Sequence, residues 1–350
     1  MAFADDAAGA GPWASLPPAL LTMPEILIAG SSGRRMLTAC AIAGPDLDPA
    51  GVRARVAARI AGMRAAPLPP LDPLPGPVEV SSARPPVSYE HAVAAAVEAI
   101  RAGRSRKLVL AREVRVTAPA AHSPAALFGA LRSAFGSCFC FCVGTPEAAF
   151  VGASPELLVR RGGAVAATVA LAGSARRSAD PAVDDHLGEQ LRLSAKDRSE
   201  HAIVVERIAR RLAPLSVWVE RAPEPVVVRV ANVQHLATPI HAQLTASRSV
   251  LELAGLLHPT PAVGPEPLGP AGIGMIAELE RLERGWYAGP VGWMDAAEDG
   301  EFCVALRSAL LRDRTAHLFA GAGIVADSDP AAELAETELK LGALLPLLAG

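Results

Sequence analysis

Two segments carry acids in pairs at i, i+3: Asp197 and Glu200 in AKDRSEH, and Glu333 and Glu336 in PAAELAETELK. On a helix that spacing puts both members of a pair on one face. Four convergent carboxylates repel one another unless a cation lies between them. Mg²⁺ suits such a set, because it takes oxygen ligands and keeps several waters. The same spacing also describes two solvated helix faces, so the neighbouring residues matter. Lys196 sits inside the first segment, and Lys340 falls one turn after Glu336. Lysine is scarce in this chain: of 33 basic residues only Lys107, Lys196 and Lys340 are lysine, and the rest are arginine. A chain that uses arginine nearly everywhere keeps lysine where an amine must lose its proton, or else holds three by chance.

Other residues add to this set. Glu156 follows Pro155 in VGASPELLVR, flanked by apolar residues. A carboxyl buried there has a raised pKa and acts as an acid near neutrality, whereas at a wet strand edge it is an ordinary glutamate. Lys107 adjoins the apolar run LVL, where desolvation or a nearby cation makes its amine a base. Arg307 in VALRSALL is an isolated cation in a hydrophobic strand, as a carboxylate clamp or a buried ion pair requires. The glycines of AGAGIV leave backbone N–H groups accessible to an anion. His235 in QHLATP reads by default as a satisfied core histidine. In CFCFC the strand period puts three thiols on one face and two phenylalanines on the other. No second ligand pair follows at zinc-finger spacing, so these read as buried strand cysteines.

The elements that must position these residues follow from periodicity and punctuation. Residues 1–22 form a loose Ala/Pro/Gly leader. Residues 23–87 supply two short strands (EILIAG and MLTACAIAG), a helix at about 49–64 and a proline-rich connector that joins the main fold. From 88 onward Ser88 caps a helix ending at Gly103. The strand KLVLAREVRV then places Lys107, Val109, Ala111 and Glu113 on one face. Further strands are SCFCFCV, AAFVG, ELLVRR, PVVVRV, VGWMD, EFCVALRSALL and AHLFAGAGIV. One long helix at about 184–212 carries KDRSEH, and a final helix covers about 330–348. In LLHPTPAVG a helix stops, His258 meets the negative end of its dipole, and Pro259 and Pro261 force extended backbone. Strands clustered in hairpin-like sequence with helices inserted predict an α+β fold with antiparallel sheet.

Composition narrows the function classes. The chain has 350 residues, 51% hydrophobic and 20% charged, which predicts a globular protein with a sizeable core. A net charge of −3 argues against nucleic acid as a partner. No apolar run approaches the roughly 18 residues that span a bilayer, so no membrane partner is expected. The acidic start MAFADDAAGA lacks the basic region of a signal peptide. Five cysteines, an odd number, fit a reducing cytoplasm.

With these pieces in hand, the chain resembles the chorismate-utilising enzymes and, within them, the isochorismate synthases. The matching segments run from about Ser88 to Leu345: KLVLARE, FVGASPELLVR, LAGSARR, KDRSEH, QHLATP, LLHPTPAVG, WYAGPVGW, VALRSALL, AGAGIV and AELAETELK. The resemblance implies a single domain of antiparallel sheets stacked face to face and rimmed by helices, with the site in a cleft between them. It makes Lys107 the base that activates water for attack at C2 of chorismate, and Glu156 the acid that protonates the departing C4 hydroxyl. It makes Glu200 and Glu336 direct Mg²⁺ ligands, with Asp197 and Glu333 acting through water and the metal holding the ring carboxylate. Arg307 and the backbone at Gly321 and Gly323 grip the enolpyruvyl carboxylate, with Lys340 in the substrate-binding set. Gly173 and Ser174 line the pocket, and His235 lies close to the ring. Ala262 and Val263 form an apolar wall where relatives that eliminate pyruvate or install an amine place a threonine.

The product is expected to be isochorismate, for a siderophore, menaquinone or specialised pathway, from a monomer. Lys107 stands where amine-forming relatives have glutamine. Salicylate synthase keeps that lysine and is the nearest alternative. A Mg²⁺-dependent phosphohydrolase would leave Lys107 unexplained, and a non-catalytic chorismate-binding paralogue would have lost acids or the lysine. One departure stands out: the family continues PAVGG with a proline two residues later, and this chain reads PAVGPEPLGPAG.

Overall fold

Apolar strands joined by short turns build two large antiparallel sheets in the computed structural model, which describes residues 2–3, 11–31, 33–42, 48–64, 66–72, 76–230 and 232–350. The chain divides into two compact units. One takes Pro69–Gly350 together with the segment up to Pro18; the other is Ala19–Leu68.

The smaller unit is a hairpin and a helix. Strands β1 (Ile26–Ser31) and β2 (Arg34–Ala39) pair antiparallel, and α1 (Pro49–Ala61) follows. Asp48 caps α1 by accepting the Gly51 N–H at 3.0 Å. None of the described side chains of α1 is buried, so this unit has little core of its own.

The larger unit begins with β3 (Glu79–Ser82), α2 (Pro86–Arg101), β4 (Leu108–Thr117), α3 (Pro124–Ala134), β5 (Phe139–Gly144), β6 (Ala149–Ser154), β7 (Leu157–Gly162) and β8 (Val165–Arg176). It continues through α4 (Pro181–Leu193), α5 (Ala195–Leu212), β9 (Ser216–Arg221), β10 (Val226–Val230), β11 (Val233–Leu244), α6 (Val250–Leu257) and α7 (Pro270–Glu280). Strands β12 (Pro290–Met294), β13 (Gly300–Val304), β14 (Ser308–Arg312) and β15 (Thr315–Ile324) precede α8 (Pro330–Leu341) and α9 (Leu345–Ala349). One sheet runs β3-β4-β15-β14-β6-β5; the other runs β10-β11-β8-β7-β13-β12, with β9 also on β11.

Inner faces of both sheets meet in one apolar core. Phe150, Leu310 and Phe319 come from the first sheet, and Leu158, Ile240 and Phe302 from the second. Helix α5 adds Val204, Ile208 and Leu212 at helical spacing. A second core, with Leu127, Leu131, Leu344 and Leu348, covers the outer face of the first sheet, and a third packs α2 onto Leu108 and Leu110. This is the expected α+β architecture of stacked antiparallel sheets rimmed by helices.

Several expected boundaries change. The described part of the leader is not loose: Trp13 is 1% exposed and stacks on Phe319, its ring centroid 5.8 Å away. Phe3 is also buried, and its N–H bonds the Gly285 carbonyl at 2.8 Å. Gly285 has φ +52° and faces Trp13 so closely that a Cβ would overlap the indole. An Ala/Pro/Gly composition hid these aromatic anchors. The connector contributes strand β3, and α2 starts at Pro86 with no side-chain cap, so Ser88 lies inside the helix. The predicted long helix is two, broken at Ser194, whose hydroxyl caps α5 by accepting the Asp197 N–H at 3.2 Å. EFCVALRSALL is likewise two strands, because β13 and β14 belong to different sheets. The cysteine strand puts Phe141 inward, while Cys142 is exposed and Cys138 and Cys140 are half-buried. His258 does not serve the helix dipole as a cation: burial pushes its pKa down to about 4, and Nε2 contacts the Phe3 carbonyl at 3.2 Å.

If the leader is part of the core, Trp13→Ala costs about 3–5 kcal/mol of stability, as for other buried aromatic truncations. Leu21→Ala, at an 80% exposed residue, changes stability by less than about 0.5 kcal/mol. Urea unfolding of both variants checks this; equal midpoints would show the leader to be dispensable.

Candidate active site

Where the chain crosses from one sheet to the other, it leaves the ladder and turns a side chain into the cleft. One crossing is Pro155–Glu156, between β6 and β7. The other is Ala305–Arg307, between β13 and β14. The two are tied together: the Val304 N–H bonds the Glu156 carbonyl, and the Ala153 N–H the Arg307 carbonyl, each at 3.0 Å. Arg307 adopts φ +47°, a left-handed conformation rare for a residue with a side chain. Ser154 braces the other crossing, its hydroxyl donating to the Val304 carbonyl at 2.5 Å and accepting the Glu156 N–H at 3.2 Å. Both crossings open onto one cavity lined by Glu156, Arg307, Gly173, Ser174 and His235, with Ala262 and Val263 on its wall. Glu200, Glu336, Lys340, Gly321 and Gly323 also line it.

Burial sets the electrostatics. Glu156 is 5% exposed, and desolvation pushes its pKa up to about 7 against the opposing charges of Lys107, Lys340 and Arg307. Lys107 is fully buried and lies behind the cavity wall, not on it: its Nζ is 2.9 Å from Oε1 of the wall residue Glu200, without an aligned hydrogen bond. A buried amine with unused hydrogen-bonding capacity is costly unless something else engages it. Gly323 permits this approach: a Cβ there would overlap the Glu200 carboxylate and lie 2.9 Å from Lys107 Cε.

His235 is more than a packed histidine. Burial, helped by the Arg307 and Lys340 charges, pushes its pKa down to about 3, so the ring is neutral. Nδ1 lies 3.1 Å from the Gly173 carbonyl, which can only accept, so Nδ1 carries the proton. Nε2 is then free to accept from the Arg307 guanidinium at 3.4 Å. Gly173, at φ +75°, lies beside the register shift where β11 meets β8, and a Cβ there would crowd Asp197 at 3.1 Å.

Asp197 and Glu333 are absent from the cavity wall but belong to the same acid cluster. Burial raises the pKa of both, and Glu336 raises each further, as Glu200 does for Asp197. Burial alone would raise Glu336 too, but the charge and hydrogen bond of Lys340, with Lys196, hold it below the usual range. Lysines are seated among these acids: Lys196 on Glu333 at 2.5 Å and Lys340 on Glu336 at 2.6 Å, besides Lys107 on Glu200. Among the described residues no three acid, histidine or cysteine side chains converge on one point as a ready-made metal shell. The donor chemistry nonetheless fits Mg²⁺: four hard carboxylates, mutually repelling, on two helices beside one cavity.

Two cavity residues escape a reading based on charge spacing. Tyr287 lies over Gly321, its hydroxyl 3.3 Å from where a Cβ would stand, and stacks on Phe319. Arg284 is buried with Glu280, one turn earlier, at 2.5 Å, and donates to the carbonyls of Val263 and Val109 at 2.7 and 2.8 Å. It thereby fixes the apolar wall. The i, i+4 spacing of Glu280 and Arg284 was its only signal, and an exposed helical pair has the same spacing.

The sequence profile described as Chorismate binding enzyme matches residues 1–349. A Pseudomonas aeruginosa protein named Salicylate biosynthesis isochorismate synthase is 44% identical over 275 residues, covering 79% of this chain and 57% of that protein. Isochorismate synthase MenF of Bacillus subtilis is 39% identical over 259 residues, 74% of this chain and 55% of that protein. The chain thus spans little more than half the length of these two curated relatives. Among solved structures, the menaquinone-specific isochorismate synthase MenF of Escherichia coli superposes with a TM-score of 0.74 at 32% identity, covering 85% of this chain and 69% of that one. With sheet-on-sheet fold, cavity and sequence in agreement, the chain belongs to the chorismate-binding enzyme family.

Proposed function

We propose that this protein is a Mg²⁺-dependent isochorismate synthase that converts chorismate reversibly to isochorismate. The observation that carries this reading is a protonatable carboxyl on the cavity wall together with a fully buried lysine packed against a second wall carboxylate, Glu200. Glu156 has its pKa pushed to about 7, and the Lys107 amine is fully buried with unused donors. Names borne by relatives at 44% and 39% identity support the same activity.

Moving the hydroxyl from C4 to C2 needs a proton removed on one side of the ring and one delivered on the other. Lys107, acting as a neutral amine, takes a proton from water as its oxygen attacks C2. Both ring double bonds shift one position, C1=C2 to C1=C6 and C5=C6 to C4=C5, and the C4 oxygen departs as water with the proton of Glu156. One proton is gained and one given, so the protein's total is unchanged, and the reverse reaction exchanges the two roles. Arg307, held by neutral His235, and Lys340 face the substrate's negative charge, with the backbone of Gly321 and Gly323 beside them. Glu200 and Glu336, with Asp197 and Glu333 behind them, would hold Mg²⁺, whose contribution is to neutralise the ring carboxylate. Ala262 and Val263 present no hydroxyl to the ring, which supports a reaction that stops at isochorismate.

Purified protein given Mg²⁺ and chorismate is expected to form isochorismate, and to form chorismate from isochorismate, without ammonia. Chromatography of the mixture is the test. Salicylate accumulating with pyruvate at neutral pH would assign the protein to the pyruvate-eliminating branch instead, and release of phosphate from phosphate esters would contradict the family chemistry altogether.

Lys107→Ala and Glu156→Gln should each retain the fold and lose on the order of 10²–10⁴ in kcat, the range of general acid–base catalysis. Because the working form of Glu156 is protonated, kcat/KM is expected to fall as pH rises past about 7. A profile flat from pH 6 to 9, or full activity in either variant, would remove Glu156 or Lys107 from its role.

A further inference from the structure

Glu266 stands where the sequence departs from its family, and the cavity does not use it. Its carboxylate is nonetheless buried, accepting from Arg207 at 2.5 Å and Arg210 at 2.7 Å, both on α5. Its backbone meets the backbone of Lys107 in an isolated antiparallel bridge. The Glu266 N–H bonds the Lys107 carbonyl at 2.9 Å, and the Glu266 carbonyl accepts from the N–H groups of Arg106 at 2.7 Å and Lys107 at 3.3 Å. The buried Ser105 hydroxyl lies 2.8 Å from that same carbonyl.

Lys107 needs such support. The β4–β15 ladder ends at Leu108 paired with Ile324, so Lys107 lies one residue beyond it. The same helix that anchors Glu266 also carries Glu200, the carboxylate next to the Lys107 amine. Glu200 and Arg207 are seven positions apart, two turns along one face of α5. A closed circuit results: Lys107 side chain to Glu200, along α5 to Arg207, across to Glu266, and back through the peptide bridge to Lys107. Displacing any member would let the amine move relative to the Glu200 carboxylate.

We infer that Glu266, clamped by Arg207 and Arg210, is a positioning residue that registers Lys107 against Glu200 and the reacting water. This rests on Lys107 being the base. Small displacements of a reacting group cost on the order of 100-fold in rate, so Glu266→Ala is expected to lower kcat by about that factor. KM for chorismate should stay within about threefold, because Glu266 does not line the cavity. Glu266→Gln, which keeps the shape and an acceptor oxygen, should recover most of the rate. Arg207→Ala combined with Glu266→Ala should be no slower than Glu266→Ala alone, since both break the same link.

Amide hydrogen exchange gives a readout that does not depend on turnover. In Glu266→Ala the amides of Arg106 and Lys107 should exchange faster while those of β15 do not change. Should Glu266→Ala fail to fold, the milder Arg210→Ala gives the same kcat-against-KM and exchange comparison. Unchanged kcat per folded molecule with only a lowered thermal midpoint would overturn the inference, as would a raised KM at constant kcat. A parent enzyme without isochorismate synthase activity would instead overturn the functional reading, and faster exchange at Arg106 and Lys107 would still report the clamp.

Discussion

A lysine with no exposure to water, beside a single carboxylate, is the contact on which the site depends. Removing Lys107 leaves the Glu200 carboxylate without its neighbour, and removing Glu200 leaves the amine without an acceptor, in a site from which water is largely excluded. The protein therefore has to specify both sides. Glu200 is fixed by α5, which Ser194 caps and whose apolar face seals the core shared by the two sheets. Lys107 is fixed at the end of β4 by the bridge to Glu266. Glycine at 323 gives the pair its room. Glu156 lies in the same desolvated space, and burial that would penalise an ionised carboxylate keeps it protonated near neutrality.

Sheet stacking supplies that dryness. A strand that ends in one sheet and restarts in the other must break its ladder, and side chains at the break face the gap between the layers. Glu156 and Arg307 occupy two such breaks, tied to each other by backbone hydrogen bonds. The left-handed backbone of Arg307 is strain held in place by that tie, of order 1–3 kcal/mol. Neutral His235 then gives the guanidinium an acceptor without adding a second positive charge. Glu156 and Arg307 thus have their positions set by the topology itself.

Much of this was legible in the sequence, because chemistry leaves sharp local marks. Of the three lysines, the two acid pairs at i, i+3 and the glutamate flanked by apolar residues, Lys340, Glu200, Glu336 and Glu156 line the cavity, and Lys107 and Lys196 pair with acids of that set. The α+β class followed from strand periodicity. Features set by distant packing were not legible. Trp13 is an isolated aromatic in a small-residue leader, and only its fit against Gly285 and Phe319 makes it core. Ser194 reads as an ordinary polar residue in a continuous helix until its hydroxyl is seen to cap α5. EFCVALRSALL has unbroken strand periodicity, since nothing local signals a change of sheet. Arg284 and Glu266 are charged residues whose burial is decided entirely by the partners they meet.

In the proposed reaction, proton transfer is split between Lys107 and Glu156, with a solvent water as nucleophile. Running the reaction in ¹⁸O-labelled water tests this most directly. Isochorismate formed from unlabelled chorismate is expected to carry one solvent oxygen, located at the C2 hydroxyl, while the C4 oxygen is lost to water. Isochorismate that retains the original oxygen, moved from C4 to C2 without exchange, would contradict it.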